Sequence, residues 1–270
     1  MSARTILITG ASRGLGAALA RAYAQPDVHL ILTARTLTAL EGVSGDCGAK
    51  GAVVSPLVLD LVRPESIEQM LEALASLDLP DLVISNAGVF SGRHETGELE
   101  DVAEQAFQLD VNLGGTIRLV DPLIRRMQAR RSGHVVLISS LAALQPQPDS
   151  PAYSASKAGI ATWGLAIRDD LADHNVRISV VYPGHVESDQ TAVHVGALPG
   201  IISADKAAAI ICKGIARNRD RIIFPQHLRF LIGISNLLPG WLRRWSNRPF
   251  RYRVRREGTS SHSGDGGEPS

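Results

Sequence analysis

Short runs of β-branched and aliphatic residues alternate along the chain with longer segments that have apolar residues at helical spacing. The segment that begins at Pro64, for instance, places Ile67, Met70 and Leu74 on one helical face. Strands that are apolar on both faces and alternate with helices are typical of a parallel sheet covered on both sides. The sequence therefore predicts a doubly wound α/β sheet in a single domain. Its predicted buried strands are 5–9, 28–34, 52–59, 81–85, 134–140 and 176–182, followed by a strand-like run at 221–224.

The composition changes after about residue 225. Residues 226–256 pass from an apolar run into an arginine-rich one, and residues 257–270 contain no aliphatic or aromatic side chain. A segment without apolar side chains cannot bury enough surface to offset the entropy of ordering. We therefore expect a folded body over residues 1–225, a helical basic extension over 226–256 and a disordered tail over 257–270.

The overall composition narrows the class of protein. The 270 residues have a net charge of only +1, which argues against a protein whose main partner is nucleic acid. The two cysteines, Cys47 and Cys212, lack disulfide-framework or metal-ligand spacing, which favours a reducing compartment and no metal. We find no signal peptide and no apolar run of about 20 residues. The expectation is a cytoplasmic protein.

A glycine-rich loop follows the first predicted strand and leads into a helix. In TGASRGLG, residues 9–16, the glycines Gly10, Gly14 and Gly16 allow a tight turn and a close approach of a pyrophosphate to the helix N-terminus. A single motif of this kind is also found in ordinary glycine-rich turns. The strand, loop and helix in this order nevertheless indicate a dinucleotide cofactor.

A second group of residues has spacing that suits proton transfer. Tyr153 and Lys157 lie four positions apart, so a helix would place the phenol and the ammonium on one face. Ser140 closes the fifth predicted strand, and Asn112 precedes it in a DVN segment. Hydride transfer to a carbonyl leaves an alkoxide that must be protonated, and nearby cations favour the phenolate for the reverse step. The alternatives are structural: a strand-end cap at Ser140, a helix kink at Asn112 and a half-buried aromatic ring at Tyr153.

TGASRGLG at 9–16, SNAG at 85–88 and the tyrosine–lysine pair together resemble the short-chain dehydrogenase/reductase family, in its NADP-preferring single-domain branch, over roughly residues 3–225. The resemblance implies a Rossmann-type fold and an oxidoreductase that interconverts a ketone or aldehyde with an alcohol. Homodimers or homotetramers are usual in this family, and the expected helix faces around 100–130 and 152–172 are candidates for such pairing.

The resemblance also implies a catalytic tetrad of Asn112, Ser140, Tyr153 and Lys157. Ser140 would orient the carbonyl, Tyr153 would act as acid and base, and Lys157 would lower the pKa of Tyr153 and hold the nicotinamide ribose. Asn112 would anchor a water that connects Lys157 to solvent. Ser139 competes with Ser140, but the thirteen-residue spacing to Tyr153 favours Ser140.

Cofactor contacts are implied along much of the chain. Asp60 would contact the adenine, and Val186 would meet the nicotinamide carboxamide through its backbone, with Ser188 where the family usually has Thr. Residues 189–203, rich in Val, Gly and small residues, are expected to fold over the substrate as a lid. The full expected set is Gly10, Ser12, Arg13, Gly14, Leu15, Gly16, Arg35, Thr36, Asp60, Asn86, Ala87, Gly88, Tyr153, Lys157, Pro183, Gly184, Val186 and Ser188.

Charge predicts which nicotinamide nucleotide binds. The second predicted strand ends in Ala34, Arg35 and Thr36, without the carboxylate that would bind a free ribose 2′-hydroxyl. Arg13 lies in the glycine loop, and two guanidinium groups suit a 2′-phosphate. The sequence therefore predicts NADP(H), with a solvated surface role for Arg35 as the alternative.

Residues 228–256 contain eight arginines, no acidic residue and interleaved aromatic side chains. Three interpretations remain open: a helix packed on the sheet or on a subunit neighbour, attachment to an anionic membrane surface at its inner face, and RNA binding, which nothing else in the sequence supports. Relatives that act on keto-lipids carry similar hydrophobic additions, so the resemblance favours a lipophilic carbonyl or alcohol. The rival hypothesis is a catalytically silent NADP(H)-binding sensor or scaffold.

Overall fold

The computed structural model describes residues 4–187, 194–195, 200–239 and 253–254. Its strands are β1 Thr5–Thr9, β2 His29–Ala34, β3 Val53–Val58, β4 Leu82–Ser85, β5 Gly133–Ile138, β6 Val176–Pro183, β7 His194–Val195, β8 Arg221–Phe224 and β9 Arg253–Val254. Its α-helices are α1 Gly14–Tyr23, α2 Glu41–Gly48, α3 Pro64–Ala75, α4 Val102–Leu109, α5 Thr116–Arg130, α6 Pro151–Ala172, α7 Ala204–Ala216 and α8 Gln226–Leu237. Short 3₁₀ turns at Thr38–Leu40 and Leu141–Ala143 and a π-helical turn at Asp110–Gly115 complete the description.

Seven parallel strands form one sheet in the order β3-β2-β1-β4-β5-β6-β8. Successive residues of β1 point to opposite faces: Ile6 and Ile8 join a core with α1 and α7, and Leu7 joins a core with α3, α5 and α6. Both faces of the sheet are therefore covered by helices, and the predicted doubly wound parallel sheet is confirmed. Strands β7 and β9 pair antiparallel in a separate two-residue ladder.

Two strand predictions need correction. Strand β3 lies at one edge of the sheet, where Val53 is 63% exposed, so it is not the buried strand that its apolar run predicted. An edge strand has a neighbour on one side only, and Pro56, which has no N–H to donate, is compatible with that place. Strand β5 ends at Ile138, so Ser139 and Ser140 lie just beyond the strand.

The order of the strands identifies the ligand-binding edge. Strand β1 lies between β2 and β4, so the chain moves outward in opposite directions from this point. Ligands of open α/β sheets bind in the crevice at the carboxyl ends of the strands beside such a reversal. The glycine loop, the segment after β4 and the segment after β5 all begin at this edge.

Helix α8 begins the basic extension, of which residues 226–239 and 253–254 are described. Leu228 and Ile232 pack against the core on the α3, α5 and α6 side of the sheet, as one of the three interpretations predicted for this segment. Residues 240–252, 255–256 and the predicted tail 257–270 lie outside the described residues, as do 189–193 and 196–199 of the predicted lid 189–203. Within the described ranges, no helix is both long enough and apolar enough to cross a membrane.

Candidate active site

The glycine loop contains two residues in the left-handed backbone region. The φ angle is +63° at Gly10 and +55° at Gly14, values that favour glycine over any other residue. Gly16 has no space for a side chain, because a Cβ there would meet the carbonyl oxygen of Gly10 and lie 2.6 Å from Asn86 Nδ2. The close packing of the loop against Asn86 therefore requires glycine at position 16.

Thr9, at the end of β1, joins this loop to the segment after β4. Its Oγ1 accepts hydrogen bonds from the backbone N–H groups of Asn86 (3.0 Å) and Ala87 (2.9 Å). The Asn86 amide in turn donates to the carbonyl oxygens of Thr9 (3.0 Å) and Gly10 (3.1 Å). Asn86 therefore positions the loop through its side chain. Sequence reasoning missed Thr9, whose signal is a hydroxyl at the end of an otherwise apolar strand.

A cavity of about 1280 Å³ opens at this edge of the sheet. Gly16 and Asn112 are buried and do not line it, and Ser188 lies outside the described residues. The remaining predicted cofactor and catalytic residues do line it: Gly10, Ser12, Arg13, Gly14, Leu15, Arg35, Thr36, Asp60, Asn86, Ala87, Gly88, Ser140, Tyr153, Lys157, Pro183, Gly184 and Val186.

One end of the cavity is cationic. The exposed side chains of Arg13 and Arg35 line it together with Arg63, which sequence reasoning missed. The carboxylate of Asp60 accepts a hydrogen bond from the Val62 N–H at 3.1 Å and lies 3.8 Å from Arg63 Nε. Arg63 could have been found from the sequence, because it follows β3 and the carboxyl ends of β2 and β3 are neighbours in a parallel sheet.

A buried hydroxyl lies near the same end. Thr33, on β2, lines the cavity, and its Oγ1 has no hydrogen-bond partner among the described residues. Burying an unpaired hydroxyl is unfavourable, so a polar ligand group at this position would stabilise the protein. The orphaned hydroxyl, the cations and the glycine loop together fit a phosphate-bearing nucleotide.

The two serines after β5 have different partners. Ser139 is buried, and its Oγ donates to the carbonyl oxygen of Lys157 at 2.7 Å. Ser140 Oγ accepts a hydrogen bond from the Ala142 N–H at 3.1 Å and is also hydrogen-bonded to the phenol of Tyr153. Ser140 is therefore the serine whose hydroxyl reaches Tyr153.

Tyr153 and Lys157 lie on the first turns of α6, and their ionisation is set by burial. Lys157 Nζ lies 5.8 Å from the centre of the Tyr153 ring and donates to the carbonyl oxygen of Ile138 at 2.9 Å. Burial raises the pKa of Tyr153, while the hydrogen bond with Ser140 acts in the opposite direction. Burial lowers the pKa of Lys157 to about 8. With only the protein's own residues around it, Tyr153 is a neutral phenol at pH 7, which is the form that can donate a proton.

Asn112 lies in the π-helical turn between α4 and α5, a distortion that is frequent at functional sites. Its Oδ1 accepts from the Val89 N–H, and its Nδ2 donates to the Val89 carbonyl oxygen, both at 2.8 Å. Nδ2 also donates to Ser156 Oγ at 3.1 Å, a partner that sequence reasoning missed. A Cβ on Gly88 would lie 3.0 Å from Asn112 Oδ1 and 3.2 Å from Lys157 Nζ. Asn112 thus fixes the segment after β4 beside Lys157.

The other end of the cavity is apolar. The Phe90 ring meets the Tyr153 ring edge-on, with centroids 5.0 Å apart and an interplanar angle of 84°. Gln145 Nε2 donates to Ser235 Oγ at 3.3 Å, which ties the segment after β5 to α8. Sequence reasoning did not place α8 in the site. The apolar lining consists of Phe90, Phe107, Val111, Leu141, Leu228, Leu231, Ile232, Ile234 and Leu238, with Gln145 and Ser235 beside it.

A partly buried ion pair adjoins the cavity, since Asp149 is one of its lining residues. Arg93 Nε lies 2.8 Å from the carboxylate of Asp149, and another guanidinium nitrogen of Arg93 donates to the Gly97 carbonyl oxygen at 2.6 Å. The pair connects the segments after β4 and β5. Among the residues that the structure describes, no group of three His, Cys, Asp or Glu side chains is arranged to hold a metal ion.

Comparison with known proteins places this geometry in context. The family model described as short chain dehydrogenase matches residues 4–195. An oxidoreductase of Myxococcus xanthus is 33% identical over 240 residues, which cover 88% of this chain and 94% of the relative. A fatty acyl-CoA reductase of Acinetobacter baylyi is 31% identical over 236 residues, covering 86% of this chain and 79% of the relative.

Solved structures share the fold. A metagenomic short-chain oxidoreductase in complex with NADP is 29% identical, with a TM-score of 0.69 and coverage of 82% of this chain and 95% of that one. More distant structures with the same fold were solved with NADPH or with NAD. The fold alone therefore does not select between the two nucleotides.

Proposed function

The chain belongs to the short-chain dehydrogenase family, and from that premise we propose that it is an NADP(H)-dependent oxidoreductase that interconverts a lipophilic ketone or aldehyde with its alcohol. The observation that carries the proposal is the place of Tyr153, hydrogen-bonded to Ser140, in a cavity that is cationic at one end and apolar at the other. A nucleotide and an apolar carbonyl compound would each find a matching end, with the proton donor accessible to both.

The cationic end supports the choice of nucleotide. Arg13 and Arg35 would hold the 2′-phosphate of NADP(H), Thr33 would pair its orphaned hydroxyl with a polar group of the ligand, and Asp60 would meet the adenine. Charge-assisted bonds from guanidinium to phosphate are among the stronger hydrogen bonds in proteins. A bound nicotinamide nucleotide supplies or accepts the hydride.

The protein's own residues would manage the proton and the orientation. Ser140 would donate a hydrogen bond to the carbonyl oxygen and hold it within reach of Tyr153. Tyr153 would donate its phenolic proton to that oxygen during reduction and accept one during oxidation. The charged form of Lys157, favoured below pH about 8, would stabilise the phenolate that remains. Asn112 would hold the segment after β4 beside Lys157.

The apolar end supports the substrate class. Phenylalanine, leucine and isoleucine side chains from four parts of the chain line it, and they favour an alkyl or acyl chain over a polar substrate. The similarity to a fatty acyl-CoA reductase agrees with that class without naming the compound.

Assembly and location complete the proposal. Val102 and Leu109 are apolar and exposed on α4, which favours a homodimer or homotetramer through the helix faces around 100–130 and 152–172. We keep the division into a catalytic body over 1–225, an extension over 226–256 and a tail over 257–270, and a cytoplasmic location.

The proposal is tested with Tyr153→Phe, assayed by NADPH oxidation on ketones graded from short water-soluble compounds to long-chain ketones. We expect wild-type turnover that improves with chain length and a loss of 10²- to 10⁴-fold in the variant, the usual contribution of a proton donor. NADPH binding, measured by its fluorescence, should be retained. Tyr23→Phe, on α1 outside the cavity lining, is the matched control and should stay active. NADPH binding by the wild type without turnover on any ketone would favour the silent sensor instead.

A further inference from the structure

Helix α8 has apolar side chains on nearly all sides. One stripe, formed by Leu228 and Ile232, packs on the core, and Ser235 continues it as a buried residue. A second stripe, Phe230, Ile234 and Leu237, faces outward. A helix that is apolar all round is normally buried. The outward stripe of α8 therefore lacks the partner that its composition calls for within the described part of the chain.

The exposure of this stripe is large. Leu237 is 86% exposed and Phe230 is 70% exposed. Leu231 and Ile234 are also exposed and at the same time line the cavity, so they lie at its mouth. Leu231 and Ile234 therefore connect the apolar lining of the cavity with the outer face of α8. We call the four side chains Phe230, Leu231, Ile234 and Leu237 the α8 patch.

Positive charge adjoins the α8 patch. Arg229 is exposed on the first turns of α8. Residues 228–256 hold eight arginines without an acidic residue. Exposed leucine and phenylalanine beside arginine match the two layers of an anionic bilayer surface, with its acyl boundary and its phosphate headgroups.

We propose that the α8 patch docks the protein on an anionic phospholipid bilayer, with the mouth of the cavity against the membrane. Phe230 and Leu237 enter the boundary between headgroups and acyl chains, and Arg229 binds lipid phosphates. Resting on the proposed function, this geometry delivers a lipophilic ketone from the bilayer along the α8 patch to Tyr153, without passage through water.

Two other occupants fit these observations less well. A second copy meeting this face about a twofold axis would bring the two Arg229 side chains into one interface, and their like charges would repel. Single-stranded RNA is bound by aromatic rings that stack on bases, whereas the α8 patch has one ring and three aliphatic side chains.

The test is cosedimentation of the full chain with vesicles of phosphatidylcholine, with and without phosphatidylglycerol. We expect binding to the anionic vesicles only, weakened between about 0.1 M and 1 M salt, where the Debye length falls from about 10 Å to about 3 Å. Leu237→Ser should weaken binding at least tenfold, since a leucine side chain that leaves a lipid phase loses most of its transfer free energy. Arg229→Glu should weaken it at least fivefold.

Val53→Ser is the matched control, because Val53 is 63% exposed on β3, at the opposite edge of the sheet from β8, the strand that precedes α8. It should bind vesicles as the wild type does. Retention of the wild type in the supernatant with anionic vesicles at low salt would overturn the docking proposal, as would equal binding by Leu237→Ser. If the wild type forms a larger oligomer and Leu237→Ser abolishes it, the occupant is a second copy. If RNA displaces the wild type from vesicles and Leu237→Ser binds vesicles as well as the wild type does, the occupant is RNA.

Activity in the same preparations separates this proposal from the function it rests on. With a short water-soluble ketone and no vesicles, Leu237→Ser should match the wild type. With a long-chain ketone embedded in anionic vesicles, Leu237→Ser should turn over at least tenfold more slowly. A wild type that binds vesicles and reduces no ketone would leave the docking intact and refute the proposed activity alone.

Discussion

Adjacent serines after β5 offer the sharpest test of the site, because each hydroxyl has one clear set of partners. Ser140→Ala removes the hydroxyl that is hydrogen-bonded to Tyr153 and that caps the 3₁₀ turn through the Ala142 N–H. Ser139→Ala removes the hydroxyl that donates to the Lys157 carbonyl oxygen at 2.7 Å. One substitution changes the reacting centre, and the other changes only the support of α6.

The two substitutions should cost similar stability and very different activity. A lost cap and a lost buried hydrogen bond each cost about 1 kcal/mol, which lowers the melting temperature of a domain of this size by roughly 2–4 °C. The loss of a donor to the developing oxyanion costs about 10²- to 10³-fold in kcat, or roughly 3–4 kcal/mol in the barrier. We expect that loss in Ser140→Ala and less than tenfold in Ser139→Ala.

The measurements are thermal unfolding and NADPH oxidation on a ketone that the wild type accepts. Ser140→Thr restores a hydroxyl and should recover part of the activity. An active Ser140→Ala, or a Ser139→Ala that keeps its melting temperature and loses activity a hundredfold, would show that the serine roles are assigned wrongly.

Two further predictions concern charge. Arg35→Asp should weaken NADPH binding by about 10- to 100-fold and strengthen NADH binding, since a charge-assisted bond to phosphate is replaced by repulsion. Arg219→Asp controls for the change of charge, because Arg219 is exposed and lies outside the cavity lining. An unchanged preference for NADPH in fluorescence titrations would exclude Arg35 from the phosphate site. Burial lowers the pKa of Lys157 from 10.5 to about 8, so between these values the unfolded chain binds more protons and stability rises with pH. The wild type should therefore gain about 2 kcal/mol of unfolding free energy relative to Lys157→Met between pH 7 and pH 9.5, measured by urea denaturation; a difference that is independent of pH would contradict a buried, destabilised ammonium.

Local sequence patterns were sufficient to predict most of the fold. The central strands are apolar on both faces and bounded by turns, so their positions could be predicted within one or two residues. The exposure of β3 could not be predicted from its sequence, because the place of a strand at the edge of a sheet depends on which distant strands pair with it. Ser139 illustrates the same limit: its sequence neighbours resemble those of Ser140, and only the return of α6 beneath β5 separates their roles.

The candidate site also contains some residues that local sequence predicts and others that it does not. Gly10, Gly14 and Tyr153 belong to motifs that can be recognised from a few neighbouring residues, and in the structure all three line one cavity. Arg63 can be found only once β3 is paired with β2. Ser235 carries no local signal, because it reaches the cavity through α8, far along the chain from the glycine loop. The π-helical turn at Asn112 likewise depends on tertiary contacts with Val89 and Ser156.

The position of α8 along the chain has an evolutionary consequence. It forms a wall of the substrate end, yet it follows the residues 4–195 that match the family model. Ser140, Tyr153 and Lys157 all lie within the matched part. On the proposed function, evolutionary changes in the chain after residue 225 would therefore alter which carbonyl compounds are accepted without replacing Ser140, Tyr153 or Lys157.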